Sequence, residues 1–278
     1  MRTGRRPLVV IRGAGDLASG VAARLARSGF GVVLTEIERP LALRRLVAFA
    51  EAVYQGRVRV EELEAECLGD AGQAEAVVES GRLAVLVDPA AGCVESLRPL
   101  ALIDARMRKA PPEPEAPGAP LRIGLGPGFT AGGDCEAVIE TRRGHHMGRV
   151  IWQGQAAPDS GVPEPVSGYA VERVLRAPAA GALVSAVALG EVVRRSQVIG
   201  HVGTAAVVAP FEGALRGFLH DGLAVEAGAK IGDLDPRADP RHCREISDKA
   251  LAVGGGVLEA LLSQPAIRGR LGGCDEAG

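Results

Sequence analysis

A short glycine-rich motif constrains the fold of this chain more than any other feature. It spans Arg12–Gly20 (RGAGDLASG) and lies between a predicted strand, Leu8–Arg12, and a predicted helix, Leu17–Arg27. In such a turn, Gly13 allows the sharp change of direction and Gly15 lets the backbone approach a pyrophosphate. The unpaired N–H groups at the start of the helix would bind the anion. The motif therefore predicts a dinucleotide-binding turn; the alternative is a tight strand-to-helix turn that holds no ligand.

An acidic residue follows the motif where a dinucleotide site needs one. Glu36 ends the predicted strand Gly31–Glu36, 21 positions after Gly15, and would bond the ribose hydroxyls. This acid favours NAD, although the nearby Arg39 leaves NADP open. Asp16 either lies beside the pyrophosphate or caps the helix instead. The predicted cofactor residues of this first site are Gly13, Gly15, Asp16, Gly20 and Glu36.

Strand and helix signals alternate through the N-terminal region. After the strand Gly31–Glu36, the pattern predicts helices at Leu41–Tyr54 and Ala71–Ser80 and a strand at Leu83–Asp88. Strands separated by helices of this length indicate a parallel sheet. The sequence therefore predicts an α/β chain with a Rossmann-like parallel sheet.

Two proline-rich stretches, Ala110–Pro120 and Ala156–Pro165, divide the chain because such runs continue neither helices nor central strands. The predicted organisation is a dinucleotide-binding region at 1–109, a glycine-rich region completing it at 121–155, an all-β module at 166–236 and a helical segment at 240–272. The tail helix, Ser247–Leu262, contains Gly254–Gly256, which predicts a break or a close backbone approach.

An internal repeat suggests what the all-β module is. The segment at 177–183 (APAAGAL) matches that at 209–215 (APFEGAL), an offset of 32 residues. Two such halves resemble the barrel-sandwich hybrid of biotinyl and lipoyl carrier domains. The stretch between the halves, Gly203–Ala206, has no lysine, so no swinging arm can be attached and the module is interpreted as structural or partner-binding.

A second glycine-rich stretch, Gly124–Gly133 (GLGPGFTAGG), follows a short predicted strand. Successive backbone N–H groups in such a loop can form an anion-binding nest, to which Thr130 would add a hydroxyl. The predicted binding residues are Gly126, Gly128 and Thr130, and the alternative is a surface turn. The P-loop ending is missing, so nothing supports nucleotide hydrolysis.

Three residues are weak catalytic candidates. Cys135 and His145 could form a nucleophile pair, although no orienting third group is evident and a solvated turn also explains His145. Asp104 ends an apolar run, where α/β folds bind ligands, but helix capping explains it as well. The five cysteines form no CxxC pair, so neither a disulfide framework nor a cysteine-rich zinc site is expected.

Composition excludes other classes of function. The 32 basic and 34 acidic residues nearly balance, the arginines are scattered, and aromatics make up 3%. These features argue against nucleic-acid or membrane-surface binding. With no stretch approaching a membrane span or a signal peptide, the expected location is the cytoplasm.

Three long segments resemble the YqeB family: VVIRGAGDLASGVAARLARSGFGVVLTEIERPLALRR, FAEAVYQGRV and GLGPGFTAGGDCEAVIETRRGHHMGRVIW. The resemblance extends from Leu8 to about Leu271, and the plan is more distantly similar to XdhC/CoxI accessory proteins. It implies a cytoplasmic accessory or maturation factor of a selenium-dependent molybdenum hydroxylase system. The residues that match its motifs are Arg12, Gly13, Gly15, Asp16, Gly20, Glu36, Gly126, Gly128, Thr130 and His145.

Three functions follow from these observations. The first is an accessory factor that binds NAD(P), another dinucleotide or molybdopterin dinucleotide and serves a molybdenum hydroxylase or its maturation proteins. The second is a free-standing NAD-dependent oxidoreductase. The third is a dinucleotide-sensing protein that docks a partner without turnover. A homo-oligomer is possible in each case.

Overall fold

A computed structural model describes residues 5–108, 110–113, 118–162 and 165–272. Its N-terminal part is built on one large sheet with a small two-stranded sheet beside it. The strands are β1 (Leu8–Arg12), β2 (Gly31–Glu36), β3 (Arg57–Val60), β4 (Leu63–Leu68), β5 (Leu83–Val87), β6 (Ala101–Asp104), β7 (Arg122–Leu125), β8 (Thr130–Ala131), β9 (Ala137–Ile139), β10 (Val150–Ile151) and β11 (Gly154–Gln155).

The large sheet has nine strands in the order β10-β9-β7-β6-β1-β2-β5-β4-β3. Its seven inner strands are parallel, whereas β3 and β10 pair antiparallel with their neighbours at the two edges. The apolar strand β1 is central and almost wholly buried, as a strand covered on both faces must be. The carboxyl ends of the parallel strands, including Arg12, Glu36 and Asp104, therefore meet at one edge.

Four helices belong to this part: α1 (Asp16–Arg27), α2 (Ala52–Gln55), α3 (Ala74–Glu79) and α4 (Cys93–Leu97). Helix α1 connects β1 to β2 and buries Val21 and Leu25. The predictions of β1 and β2 agree with the structure at both ends, and the predicted strand Leu83–Asp88 is observed as Leu83–Val87.

The predicted helix Leu41–Tyr54 is wrong. The segment forms two single 3-10 turns and then the four-residue helix α2. Its backbone is used elsewhere: the Leu43 carbonyl accepts the Phe218 N–H at 2.9 Å, and the Ala50 N–H donates to the Ala14 carbonyl at 2.8 Å. These tertiary hydrogen bonds replace the local ones that a helix needs.

The remaining strands form two antiparallel four-stranded sheets, with orders β12-β19-β17-β14 and β16-β15-β13-β18. They are β12 (Val174–Arg176), β13 (Gly181–Ser185), β14 (Val192–Val193), β15 (Val198–Val202), β16 (Ala205–Val208), β17 (Gly213–Phe218), β18 (Ala224–Val225) and β19 (Lys230–Asp235). The repeat is visible in the strands, since β13, β14 and β15 recur 32 positions later as β17, β18 and β19. Each sheet takes one short strand from the other half of the repeat.

These sheets correct the predicted fold class. The large sheet is mixed, with antiparallel strands at both edges, rather than the parallel sheet of a Rossmann-like domain. The stretch from β7 to β9 contains no helix, so it lacks the crossover that such a domain repeats. The later strands form two antiparallel sheets of four strands. The predictions of a Rossmann-like domain and of a biotinyl-like module are therefore both wrong. The short edge strands lack the periodicity that would have revealed these pairings.

Three helices end the described chain: α5 (Arg241–Arg244), α6 (Asp248–Leu262) and α7 (Pro265–Gly272). Ser247 caps α6, its hydroxyl accepting the Ala250 N–H at 3.1 Å. Helix α6 runs through Gly254–Gly256 without a break and packs closely against α1. It thereby joins the core of the large sheet, whereas the β12–β19 strands have a core of their own.

Within the described residues, no single helix is long and apolar enough to cross a membrane. Two consecutive helical segments would be long and apolar enough if joined, but they are bent by 101° relative to each other; they are Arg241–Leu262 and Pro265–Leu271.

Candidate functional site

The predicted dinucleotide turn leads from β1 into α1. Gly13 adopts a positive φ of 101° and donates its N–H to the Thr35 carbonyl at 2.8 Å. The Ala14 N–H donates to Glu36 Oε2 at 2.9 Å, and Glu36 Oε1 accepts the Ile37 N–H at 2.9 Å. Both carboxylate oxygens of Glu36 therefore accept backbone N–H groups, and Glu36 stabilises the turn between β1 and α1.

Gly15 and Asp16 lie at the start of α1, Gly15 beside open space and Asp16 in contact with an arginine. A Cβ on Gly15 would meet no protein atom within 4 Å, so a ligand can approach this backbone. Asp16 does not cap the helix; both of its carboxylate oxygens accept from Arg44 Nη1 at 2.9 Å. Arg44 Nη2 donates to the carbonyls of His242 and Glu245, so one guanidinium ties the turn to the segment before α6.

Gly20 is a packing residue in this structure. A Cβ there would lie 2.5 Å from the Ala250 Cβ and 2.7 Å from the Ala250 carbonyl oxygen. Its lack of a side chain allows α1 and α6 to touch.

The second glycine-rich loop is closed by the protein's own groups. A Cβ on Gly126 would lie 2.5 Å from Thr141 Oγ1, and one on Gly128 would lie 2.6 Å from the Ala110 carbonyl oxygen. Thr130 donates its N–H to Asp134 Oδ2 at 2.8 Å and accepts from Gln155 Nε2 at 2.9 Å. These glycines make room for neighbouring chain, and Pro127 between them lines a cleft described below.

The catalytic candidates do not assemble into one centre. Asp104 is bound by Arg106, whose Nε and Nη2 donate to it at 3.0 and 2.6 Å. Asp104 and Cys135 border one small cavity of about 30 Å³. Burial raises the pKa of the Cys135 thiol to about 11, so it stays protonated at neutral pH.

His145 lies apart, exposed on the turn between β9 and β10, with its ring edge-on to His146. Across the residues that the structure describes, no group of three His, Cys, Asp or Glu is placed to hold a metal ion.

A cationic cleft of about 850 Å³ lies between the large sheet and the β12–β19 strands. We call it the interdomain cleft. Asp16 and Leu17 of the first glycine motif line it, and it shares Arg143, Lys230 and Lys249 with an adjoining cleft of about 460 Å³ lined by Pro127 and Thr141. Its cationic side chains are Arg44, Arg143, Arg173, Arg216, Lys230, Arg237 and Lys249.

Positive charge exceeds negative charge in the interdomain cleft. The carboxylates that line it are Asp16, Asp233 and Asp248, which pair with Arg44, Arg173 and Arg143 respectively. The buried Asp235 pairs with Arg237, which lines the cleft. Among the described residues that line the cleft, seven are cations and three are carboxylates, a balance that favours an anionic ligand.

Arg216 is largely buried and only weakly paired. Its side chain is 14% exposed, and the nearest carboxylate oxygens, on Asp233 and Asp235, lie 3.8 Å away. Its buried Nε has no hydrogen-bond partner among the described residues. Burial and the neighbouring Arg44 lower the pKa of Arg216. A buried guanidinium N–H without a hydrogen-bond acceptor is costly, and an anion would supply the acceptor.

A β-bulge puts Arg216 in this position. The register between β17 and β19 shifts between Leu215 and Gly217, which leaves Arg216 as the extra residue. A bulge of this kind re-aims a side chain. Sequence reasoning missed the interdomain cleft because its cations come from separate segments and look scattered; no spacing rule links them.

No family model matches the chain. A curated protein of Escherichia coli (strain K12), named YqeB and described as uncharacterized, is 49% identical over 255 residues, or 92% of this chain and 47% of that protein. The chain belongs to the YqeB family. It spans about half the length of this relative.

Two solved structures also show a distant likeness to this YqeB-family chain. One is an aspartoacylase family protein from Mesorhizobium loti, 12% identical, covering 84% of this chain and 86% of that one with a TM-score of 0.27. The other is a succinylglutamate desuccinylase/aspartoacylase from Rhodobacter sphaeroides, 14% identical, covering 83% and 85% with a TM-score of 0.27. At these TM-scores neither likeness bears on the fold or the chemistry.

The Asp235 carboxylate should make the YqeB-family chain sensitive to acid. Asp235 is fully buried. Burial alone would raise the pKa of Asp235, but its hydrogen bonds from the Arg237 side chain and backbone overcome this and lower it to about 2. Because the folded-state pKa lies below the unfolded value, the stabilisation is complete above about pH 5 and is lost as the pH falls toward 2.

We expect this group to contribute about 2 kcal/mol to the free energy of unfolding at pH 7. Urea unfolding of the wild type and of Asp235→Asn from pH 7 to pH 3 measures it. The two curves should converge as the pH falls. A constant gap between them would contradict the assignment.

Proposed function

We propose that the chain binds a phosphate-bearing dinucleotide in the interdomain cleft and acts as an accessory factor for a molybdenum hydroxylase. Molybdopterin dinucleotide is the proposed ligand, and the role is placed in the cytoplasm. The observation that carries the binding proposal is Arg216, a largely buried guanidinium on the wall of a cation-rich cleft, whose Nε has no hydrogen-bond partner among the described residues and whose nearest carboxylate oxygens lie 3.8 Å away. A phosphate oxygen would satisfy it.

Size and position support the same ligand class. Small-molecule sites usually measure about 300–1,000 Å³, and the interdomain cleft measures about 850 Å³. Asp16 and Leu17, the first residues of α1, line the interdomain cleft, and the open side of Gly15 directly precedes them. Unpaired N–H groups at the start of a helix favour anions. The adjoining cleft reaches Pro127 of the second glycine-rich loop, so an extended ligand could contact both motifs.

The dispersal of the catalytic candidates favours a binding role over a free-standing oxidoreductase. Asp104 is held by Arg106, the Cys135 thiol is protonated, and His145 lies on an exposed turn. The molybdenum hydroxylase, its selenium dependence and the maturation partners come to the proposal through the resemblance to the YqeB family alone.

Calorimetric and thermal-shift titrations test the binding. Molybdopterin dinucleotide, NAD, NADP and FAD are titrated into the wild type, Arg216→Gln and Gly15→Val. A ligand at 100 times its dissociation constant should stabilise the wild type by about 2.7 kcal/mol. Arg216→Gln should weaken binding about tenfold or more, since a hydrogen bond to a charged group contributes about 1.5–3 kcal/mol. Gly15→Val should also weaken it, because the added side chain enters space that no protein atom occupies.

Arg195→Gln is the matched control. Arg195 is exposed and does not line the interdomain cleft, so its loss changes the net charge equally. Equal losses in Arg216→Gln and Arg195→Gln would contradict the site. If only NAD or NADP binds, and turnover accompanies it, the oxidoreductase alternative replaces the proposal. The accessory role is tested by co-producing a molybdenum hydroxylase with wild type or Arg216→Gln and measuring its cofactor content.

A further inference from the structure

Three arginines converge on one carboxylate at the carboxyl edge of the large sheet. Arg12 ends β1, and Arg106 and Arg108 follow β6. Glu113 Oε2 accepts from Arg12 Nη1 at 3.3 Å and from Arg106 Nη2 at 3.0 Å. Its Oε1 accepts from Arg106 Nη1 at 3.3 Å and from Arg108 Nη1. We call Arg12, Arg106 and Arg108 the arginine triad; none of them lines the interdomain cleft.

The arginine triad is a built site rather than a surface ion pair. The Arg12 side chain is only 10% exposed, and its Nε is fixed by the Pro89 carbonyl at 2.8 Å. Burial, together with the nearby Arg106, lowers the pKa of Arg12. Asp104 neutralises one of the three charges through Arg106. The remaining excess calls for an anion at the point where Glu113 lies.

The groups on the neighbouring strands do not supply that anion. Arg122 lines the small cavity beside Arg12 and is itself paired with Glu136 at 3.0 Å. Asp134, on the same cavity, accepts the Thr130 N–H. Only Glu113, among the described carboxylates, reaches all three guanidiniums.

Glu113 comes to the arginine triad from the surface. Its side chain is 46% exposed, although its partner Arg12 is almost wholly buried. It belongs to the proline-rich stretch between β6 and β7, outside any helix or strand. Arg12 and Arg106, 10% and 19% exposed, thus hold an acceptor that is itself more exposed, which is the arrangement of a binding site and its occupant. The hydrogen bond from Arg106, above all, lowers the pKa of Glu113 to about 2, so the occupant is ionised at neutral pH.

We propose that the arginine triad is a second anion site, which binds the carboxylate of a small acidic molecule, and that Glu113 occupies it as an intramolecular competitor. The planar carboxylate of Glu113 already satisfies four guanidinium donors, so a ligand carboxylate can make the same bonds. The proposal concerns a site separate from the interdomain cleft and does not depend on the ligand proposed there.

Calorimetric titration of citrate into the full chain tests the site. Glu113→Gln should lower the dissociation constant about tenfold if Glu113 occupies the site nine-tenths of the time, since competition reduces apparent affinity by the fraction of sites that are open. Glu226→Gln is the control. Glu226 is exposed and lies away from the arginine triad, and its substitution removes the same charge. Adding Arg106→Gln to the Glu113→Gln variant should abolish the gain in citrate affinity that Glu113→Gln produces alone.

The expected result is a gain in citrate affinity for Glu113→Gln alone. An equal effect in Glu226→Gln, or no effect in either, would overturn the proposal. A larger gain for inorganic phosphate than for citrate would overturn the carboxylate assignment. Should Arg106→Gln fail to fold in a thermal melt, Arg108→Gln replaces it, since the Arg108 side chain is 41% exposed. Citrate binding that survives Arg216→Gln separates this site from the interdomain cleft.

Discussion

Replacing Gly256 with alanine should destabilise the chain by about 3 kcal/mol. The new Cβ would lie 2.1 Å from the carbonyl oxygen of Gly148, in the turn between β9 and β10, and 2.9 Å from Cγ2 of the buried Ile139. Because the nearest atom belongs to the backbone, helix and sheet must move apart. Urea unfolding of the purified variant, followed by circular dichroism, measures the loss.

Gly255→Ala is the matched control, one position earlier in the same helix. A Cβ there meets no atom within 4 Å, so the substitution should stabilise the chain by up to about 1 kcal/mol through helix propensity. The opposite signs at adjacent positions are the decisive result. Equal effects at both positions would show that α6 does not contact the Gly148 turn as described.

Arg44→Met should cost about 3 kcal/mol and loosen the junction between the glycine turn and the segment before α6. The Arg44 side chain is 8% exposed and donates to Asp16 and to the carbonyls of His242 and Glu245. Methionine fills the volume but leaves the carboxylate and both carbonyls without their donor. Thermal and urea unfolding measure the change in stability, and hydrogen exchange at 242–247 measures the loosening.

Arg44→Lys separates charge from hydrogen bonding. Lysine keeps the charge beside Asp16 but cannot reproduce the fork of donors, so its loss should fall between those of the wild type and Arg44→Met. A lysine variant as unstable as the methionine variant would assign the effect to geometry alone. A methionine variant as stable as the wild type would remove Arg44 from the junction.

Local sequence signals predicted the elements whose hydrogen bonds are local or whose burial is uniform. The run at Leu8–Arg12 and the strand Gly31–Glu36 were predicted at their observed ends because central strands are continuously apolar. The apolar content of 247–262 predicts helix α6, and Gly254–Gly256 predicts either a break or a close backbone approach. The structure has the close approach and no break.

The errors arose where distant parts of the chain decide the structure. The predicted helix at 41–54 has the right periodicity, yet the Leu43 carbonyl and the Ala50 N–H bond to partners far along the chain. The fold class was wrong because the edge strands, such as β10 with two residues, are too short to carry a pattern. Neither the distant hydrogen bonds of 41–54 nor the pairing of the short edge strands can be recognised from a local stretch of sequence.

Of the residues predicted to bind a cofactor, only Asp16 lines the interdomain cleft. The first glycine motif does border the interdomain cleft through Asp16, but Gly20 serves helix packing. Arg216 looked like one arginine among 29, and its importance depends on a bulge and on carboxylates that stop 3.8 Å away. Such features are set by three-dimensional register, which the sequence of one chain does not display.

The exchange of short strands between the two β-sheets has a consequence for how this region is made. Strand β14, from the first half of the repeat, pairs with β17 of the second, and β18 pairs with β13 of the first. During synthesis, the sheet that contains β13 can therefore be completed only after β18, which ends at Val225, has been made. We therefore expect the two halves of the repeat to fold as one cooperative unit, because neither half completes a sheet without a strand of the other.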